Sequence, residues 1–178
     1  MVEVSQHIPM SFQDFPEPDA HAIVISFYGC SHNCPGCHNP QLHSSYMQAG
    51  VVSLPIRWLV DVIRGQCIRH KTTNVVLQGG DPLHPDNRNA TLSILTLCED
   101  LRFCIYTGYD YLDAVTMLQG SQFAYLKCGK YDSGQYQSPG KWDDRFVLAS
   151  KNQAIFDGNG RLLTKDGILY FDKGADGV

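Results

Sequence analysis

The chain is short of basic charge, of long apolar runs and of cysteine pairs, and each shortage removes a class of function. Lysine and arginine number 14 against 18 acidic residues, a formal net charge of -4. Such a balance lacks the basic surplus on which phosphate-backbone binding draws, so no direct nucleic-acid partner is expected. The longest apolar stretch, residues 22–28, is interrupted by Ser26 and falls far short of the roughly 20 residues that a membrane helix needs. No membrane span is expected. Residues 1–18 have neither the positive start nor the apolar run of a secretory signal, which makes the cytoplasm the expected compartment. The seven cysteines are odd in number, and three of them fall between Cys30 and Cys37. That is no secreted disulfide framework, and it points to a reducing compartment and a metal.

What is present suits one globular domain. The 178 residues are 43% hydrophobic and 18% charged, with no internal repeat, a length that fills one core rather than two. We expect one domain over 1–178, with a core at about 20–153 and a β hairpin over 154–171. Apolar runs alternate with helical patterns, the mark of successive βα units. Residues 21–28 predict a strand that stops at Gly29, where the cysteine cluster begins. Ser53 and Pro55 look like the cap and first turn of a helix whose apolar face is Ile56, Leu59, Val60 and Ile63, with Gly65 near its end. Residues 74–78 predict a buried strand, 79–85 its loop and 89–100 a helix. Residues 102–106, 110–119 and 123–128 predict strand, helix and strand. The sheet is expected to be mainly parallel. Residues 129–141, rich in Gly, Ser, Gln and Pro, predict a long loop placed to cover a site. Residues 145–149 predict a further strand, and 157–160 the turn of a hairpin between 154–156 and 161–163.

The chemistry concentrates in the loop after the first predicted strand. Cys30, Cys34 and Cys37 have the spacing C-x3-C-x2-C, which wraps three thiolates around one inorganic centre and leaves a fourth position unfilled by cysteine. Pro35 and Gly36 tighten the loop and let its backbone approach a ligand. The alternative is a zinc site completed by His32, His38 or His43, a Cys3His shell that would make the chain a non-enzymatic interaction module. Cys67, Cys98, Cys104 and Cys128 are scattered singly through predicted helices and strands, where a free cysteine acts as a small buried hydrophobe.

Cys30, Cys34 and Cys37 after one strand, followed by Gly79-Gly80-Asp81-Pro82 after the next, resemble the motifs of the radical S-adenosylmethionine superfamily. Within it the chain is similar to the activating proteins of anaerobic ribonucleoside-triphosphate reductase. The shared pattern is Gly29-Cys30, Cys34-Pro35-Gly36-Cys37, Asn39, residues 79–85, Thr107-Gly108-Tyr109, Gly129-Lys130-Tyr131 and Asn152-Gln153, in family order. The resemblance implies an α/β fold, a minimal incomplete (βα) barrel with a mainly parallel sheet and a small C-terminal β appendage. It implies a 4Fe-4S cluster on the three cysteines and S-adenosylmethionine chelated to the remaining iron. The expected activity is reductive cleavage of that cofactor to a 5'-deoxyadenosyl radical, which makes a glycyl radical on the large subunit of anaerobic ribonucleotide reductase. A flavodoxin or ferredoxin would supply the electron.

The cofactor residues expected on this basis are Gly36, Cys37 and His38 beside the adenine, and Gly79 and Gly80 where backbone approaches ligand at a strand end. Asp81 is expected to accept from the cofactor's ammonium, Thr107 to face the same pocket or to cap a turn, and Lys130 to bind the cofactor carboxylate or the partner. Asn152 and Gln153 are expected to organise the C-terminal edge. The sequence departs from the family pattern in lacking a glycine-rich stretch over 15–20, in placing His38 where an aromatic is usual, and in placing Cys128 where an acid is frequent. Other readings of the same motifs are an activase of a different glycyl-radical enzyme and a small radical enzyme acting on a nucleoside precursor.

Overall fold

The computed structural model describes residues 1–43 and 50–171. Its strands and helices run β1 (Val2–Ser5), β2 (Met10–Ser11), β3 (Ala22–Phe27), β4 (Val51–Leu54), α1 (Ile56–His70), β5 (Asn74–Gly79), α2 (Pro85–Leu97), β6 (Arg102–Tyr106), α3 (Tyr111–Leu118), β7 (Tyr125–Cys128), β8 (Gly140–Trp142), β9 (Arg145–Val147), β10 (Ala154–Asp157) and β11 (Ile168–Tyr170). The main sheet has the order β10-β7-β6-β5-β3-β1-β4, with β2 also on β3, and β11-β9-β8 form a second small sheet. The pairings β3 with β5, β5 with β6 and β6 with β7 are parallel, while β1, β2, β4 and β10 join antiparallel. The fold is thus mixed α/β with a parallel centre. Its strand path has two ends, β10 and β4, and no pairing joins them among the described residues.

Alternation along the central strands divides the core. Ile23, Ile25 and Phe27, with Val75, Leu77, Phe103, Ile105 and Leu126, pack with Leu59 and Ile63 of α1 and Ile94 of α2. Their neighbours of opposite parity, Ala22, Val24, Val76 and Cys104, form a smaller core with Phe15 from the N-terminal segment. Farther along the same parity come Gln78, Tyr106 and Lys127, and these line a cavity. The helices therefore cover one face, and the cavity opens over the other.

Several expectations change at element ends. Ser53 ends up in β4, paired with Glu3, because the N-terminal strand β1 supplies a partner that local pattern does not announce. Helix α1 runs through Gly65 to His70, where Lys71 takes a left-handed conformation and its N–H caps Cys67 and Ile68. Helix α2 begins at Pro85 rather than at 89, since proline suits the first helical turn and His84 accepts from the Asp86 N–H. The predicted hairpin is divided. Strand β10 extends the main sheet beside β7, only a bridge between Phe156 and Leu162 holds its second arm, and the loop after β7 enters the small sheet at β8. No helix among the described residues is long and apolar enough to cross a membrane.

Leu77 is fully buried at the centre of the sheet. Leu77→Ala is expected to lower stability by about 3 kcal/mol, measured as a shift of the urea midpoint at unchanged slope; a shift corresponding to under about 1 kcal/mol would mean that the central strand is not packed as described.

Candidate cluster and cofactor site

The cysteine loop leaves β3 and is held by main-chain bonds on both sides. Gly29 N–H donates to Leu42 C=O at 2.9 Å, Cys30 N–H to His43 C=O at 3.2 Å, and Cys37 N–H to Cys34 C=O at 3.1 Å. The next strand end is laced to it: Gly80 N–H donates to Phe27 C=O and Asp81 N–H to Gly29 C=O, both at 2.8 Å. Such lacing requires close approach. A Cβ on Gly80 would run into the Gly29 carbonyl and come within 2.8 Å of the Leu42 oxygen, both of them backbone. Asn87, 2% exposed, donates to Tyr28 C=O at 2.7 Å and Asp81 C=O at 2.9 Å, joining the same two strand ends from α2.

A cavity of about 420 Å³ lies against these strand ends. Of the residues expected from the sequence, Cys30, Cys34, Cys37 and His38 line it from the loop after β3, Gly79 and Gly80 from β5, Thr107 from β6 and Lys130 from the end of β7. Gly36 and Asp81 are not on the lining. Gly36 is exposed and faces Tyr131, whose ring would lie 3.6 Å from an added Cβ, and the Tyr131 ring stands 5.3 Å from that of His38.

Asp81 is 1% exposed and turned inward. Its Oδ1 accepts from Leu83 N–H at 2.8 Å, its Oδ2 from Gly108 N–H at 2.9 Å and His32 Nε2 at 2.7 Å, and the Thr107 hydroxyl donates at 2.9 and 3.0 Å to the two oxygens. The acceptor expected to meet a cofactor ammonium is committed to the protein. The Thr107 hydroxyl is committed likewise, since it also accepts from Tyr109 N–H at 3.2 Å. Asn152 donates to Lys130 C=O at 2.9 Å and Gln153 to Gly129 C=O at 3.2 Å, which pins the chain after β7.

Sequence reasoning passed over Lys127, which lines the cavity from β7. Among the described residues its ammonium has one hydrogen-bond acceptor, Gly129 C=O at 3.5 Å, and it lies 5.8 Å from the Tyr106 ring centroid. Burial lowers its pKa to about 8. The available signal was a lysine between Leu126 and Cys128 in a strand read only as apolar. The far wall was missed too: Phe146, Val147 and Leu148 of the small sheet and Gln13 and Asp14 of the N-terminal segment face the cavity.

The donor set fits an iron-sulfur cluster. Cys30, Cys34 and Cys37 are free, while Cys67, Cys98, Cys104 and Cys128 are buried elsewhere. Burial raises Cys67 to about 11 and Cys128 to about 12, which keeps them as inert thiols. Among the described residues no three His, Cys, Asp or Glu side chains are arranged to hold a single ion. A four-iron cube binds each thiolate on a different iron, so its ligands surround a volume rather than converge on a point. Burial also raises the Cys30 thiol, so ligation must release a proton as iron binds.

Three thiols on a loop at the C-terminal ends of parallel strands define a cluster-binding α/β protein. Residues 21–156 match the family described as "4Fe-4S single cluster domain", and the chain belongs to that family. It is similar to the anaerobic ribonucleoside-triphosphate reductase-activating protein of Haemophilus influenzae, 33% identical over 108 residues that make up 55% of this chain and 64% of the relative. It is also similar to the protein of the same name from Vibrio cholerae, 33% identical over 86 residues, 46% of this chain and 54% of that one. The matches thus span less than two thirds of either relative's length. No solved structure matches the chain significantly.

Two outcomes test this geometry. Gly80→Ala is expected to displace the cysteine loop and at least halve the iron and sulfide retained per folded chain, read by metal and sulfide analysis. The unfolded chain keeps Lys127 near its ordinary pKa of 10.5 while the folded value is about 8. Between those values the unfolded state holds more protons, so this group makes stability rise with pH. In urea unfolding of the cluster-free protein, wild type should therefore gain on Lys127→Met from pH 8 to pH 10; a constant difference would show that Lys127 is not buried as charge.

Proposed function

We propose that the chain is an activase that reductively cleaves S-adenosylmethionine and leaves a glycyl radical on the large subunit of an anaerobic ribonucleotide reductase. One observation carries this reading: the three free thiols, the Gly79-Gly80 strand end and the lysines Lys127 and Lys130 share a single cavity. The likeness to two proteins named for activating that reductase supports it. We read the open sheet, with helices on one face and the cavity on the other, as the wall of an incomplete barrel.

When bound, a 4Fe-4S cluster would pass one electron to the sulfonium, giving methionine and a 5'-deoxyadenosyl radical that takes a hydrogen atom from a backbone glycine of the partner and becomes 5'-deoxyadenosine. The protein's residues hold and orient. Cys30, Cys34 and Cys37 would supply three ligands and leave a fourth iron open to the cofactor's amino and carboxylate groups. Lys127, which makes no salt bridge among the described residues and has only the Gly129 carbonyl as acceptor, would take the carboxylate, with the exposed Lys130 as a second cation. Gly79 and Gly80, which line the cavity without side chains, let the methionyl arm lie against main chain. Cys37 and His38 would lie beside the adenine, with Tyr131 next to the His38 ring and Gly36 outside the lining. Phe146, Val147 and Leu148 keep the far wall apolar, which limits water near a reactive radical. A flavodoxin or ferredoxin is the proposed electron source.

The test is anaerobic reconstitution with iron and sulfide, reduction in the presence of S-adenosylmethionine, and assay of 5'-deoxyadenosine with and without the reductase subunit. Wild type should form it, Cys34→Ala should lose at least 100-fold, and the reductase should gain a glycyl-radical signal. A colourless, zinc-loaded and inert wild type would overturn the reading in favour of a structural metal module.

A further inference from the structure

His32 lies inside the cysteine loop but has no part in the ligand set just described. Its side chain is 8% exposed. Its Nε2 stands 2.7 Å from Asp81 Oδ2, and its ring meets the Tyr109 ring edge-on at 4.7 Å. It also lies flat against Gly108, where an added Cβ would come within 2.6 Å of Nε2. His32 itself stands between Cys30 and Cys34 in the chain. One residue thus belongs to the cysteine loop by its main chain and reaches the turns after β5 and β6 with its side chain. The Gly108 N–H and the Thr107 hydroxyl converge on the same carboxyl group.

We propose that His32 is a positioning residue that clamps the cysteine loop to the ends of β5 and β6, fixing the spacing between the cluster and the S-adenosylmethionine pocket. The inference rests on the function proposed above. Ligation by Nε2 is ruled out by its bond to Asp81, since a ring nitrogen carrying a proton to a carboxylate has no lone pair for iron. Packing alone does not explain the contact, because a buried carboxyl group surrounded by donors selects a side chain that can donate. The consequence is geometric. Gly79, Gly80 and Thr107 line the cavity together with Cys30, Cys34 and Cys37, and the bond from the His32 side chain to Asp81 ties the cysteine loop to the turn that follows Gly80. Electron transfer to a bound sulfonium and its bond cleavage depend on placement within about 1 Å, so loosening this bond should disturb the cofactor before it disturbs the cluster.

The experiment compares His32→Phe, His32→Gln and Gly108→Ala with wild type, all reconstituted anaerobically. Iron and sulfide per chain are measured first, then the S-adenosylmethionine dissociation constant and the change that the cofactor makes in the electron paramagnetic resonance spectrum of the reduced cluster. Phenylalanine keeps the ring and removes the donor, whereas glutamine places an N–H near the position of Nε2. His32→Phe should load its cluster, bind the cofactor at least tenfold more weakly and lose most of the spectral change; His32→Gln should recover both to within about threefold of wild type. Gly108→Ala keeps the imidazole but pushes it off Asp81, and should share the binding defect even where His32→Phe fails to load. Wild-type affinity and spectra in His32→Phe, or in a loaded Gly108→Ala, overturn the clamp, as does failure of His32→Gln to recover. A wild-type cluster that gives no spectral response to S-adenosylmethionine instead overturns the function on which the clamp rests.

Discussion

A carboxyl group left only 1% exposed is destabilising unless its lone pairs are used, and the way Asp81 uses them organises the site. Its donors come from separate stretches of chain: Leu83 from its own turn, Thr107 and Gly108 from the end of β6, and His32 from the cysteine loop. Bonds to a charged acceptor contribute about 1.5–3 kcal/mol each when the acceptor would otherwise be stranded. The group therefore fixes three loops relative to one another more firmly than their own short turns could. Asn87 does the same for the main chain, with both amide protons spent on carbonyls of the two strand ends. No buried side-chain polar atom among the described residues is left without a partner, as a rigid polar network demands.

The opposite wall of the cavity is built by a different device. Lys141, at the end of the long loop, donates to the carbonyls of Glu17 at 2.9 Å, Ala20 at 2.6 Å and Phe15 at 3.4 Å, and its own N–H donates to Gln13 Oε1 at 2.8 Å. One lysine thereby binds the small sheet to the N-terminal segment. Phe15 then fills the smaller core beneath the cavity, and Arg102 pairs with Glu17 from the same segment. The segment that lacks a glycine-rich stretch is structural here. Its irregular carbonyls are satisfied by a cation, so it needs no strand partner of its own.

Legibility followed the range of the interaction. The cysteine spacing, the Gly79-Gly80 turn and the strands 21–28, 74–78 and 102–106 are local patterns, and each appears where periodicity placed it. Strand β4 did not, because it exists through pairing with β1, some fifty residues earlier, and pairing leaves no local trace. Asp81 was legible as important but not in direction: nothing in Gly-Gly-Asp-Pro tells whether the carboxyl points to ligand or to protein. Only the arrival of His32 and Thr107 from distant loops decides it. Lys127 was legible in principle. Its parity matches Tyr106 across the β6–β7 pair, which places both on the face away from the helices, and a lysine on an enclosed face asks for an anion.

That cation also stands in the same cavity as the thiols. Burial weakens the Lys127 ammonium and lowers its pKa to about 8, against the opposing influence of the Asp81 carboxyl group. The Cys104 and Cys128 thiols are held protonated by burial, and of the cysteines near Lys127 the one that lines the cavity is Cys34. On the function proposed above, Cys34 would enter a cluster whose net charge, iron included, acts on Lys127 across an enclosed and poorly screened space. The buried lysine and the cysteine loop are therefore two parts of one electrostatic site.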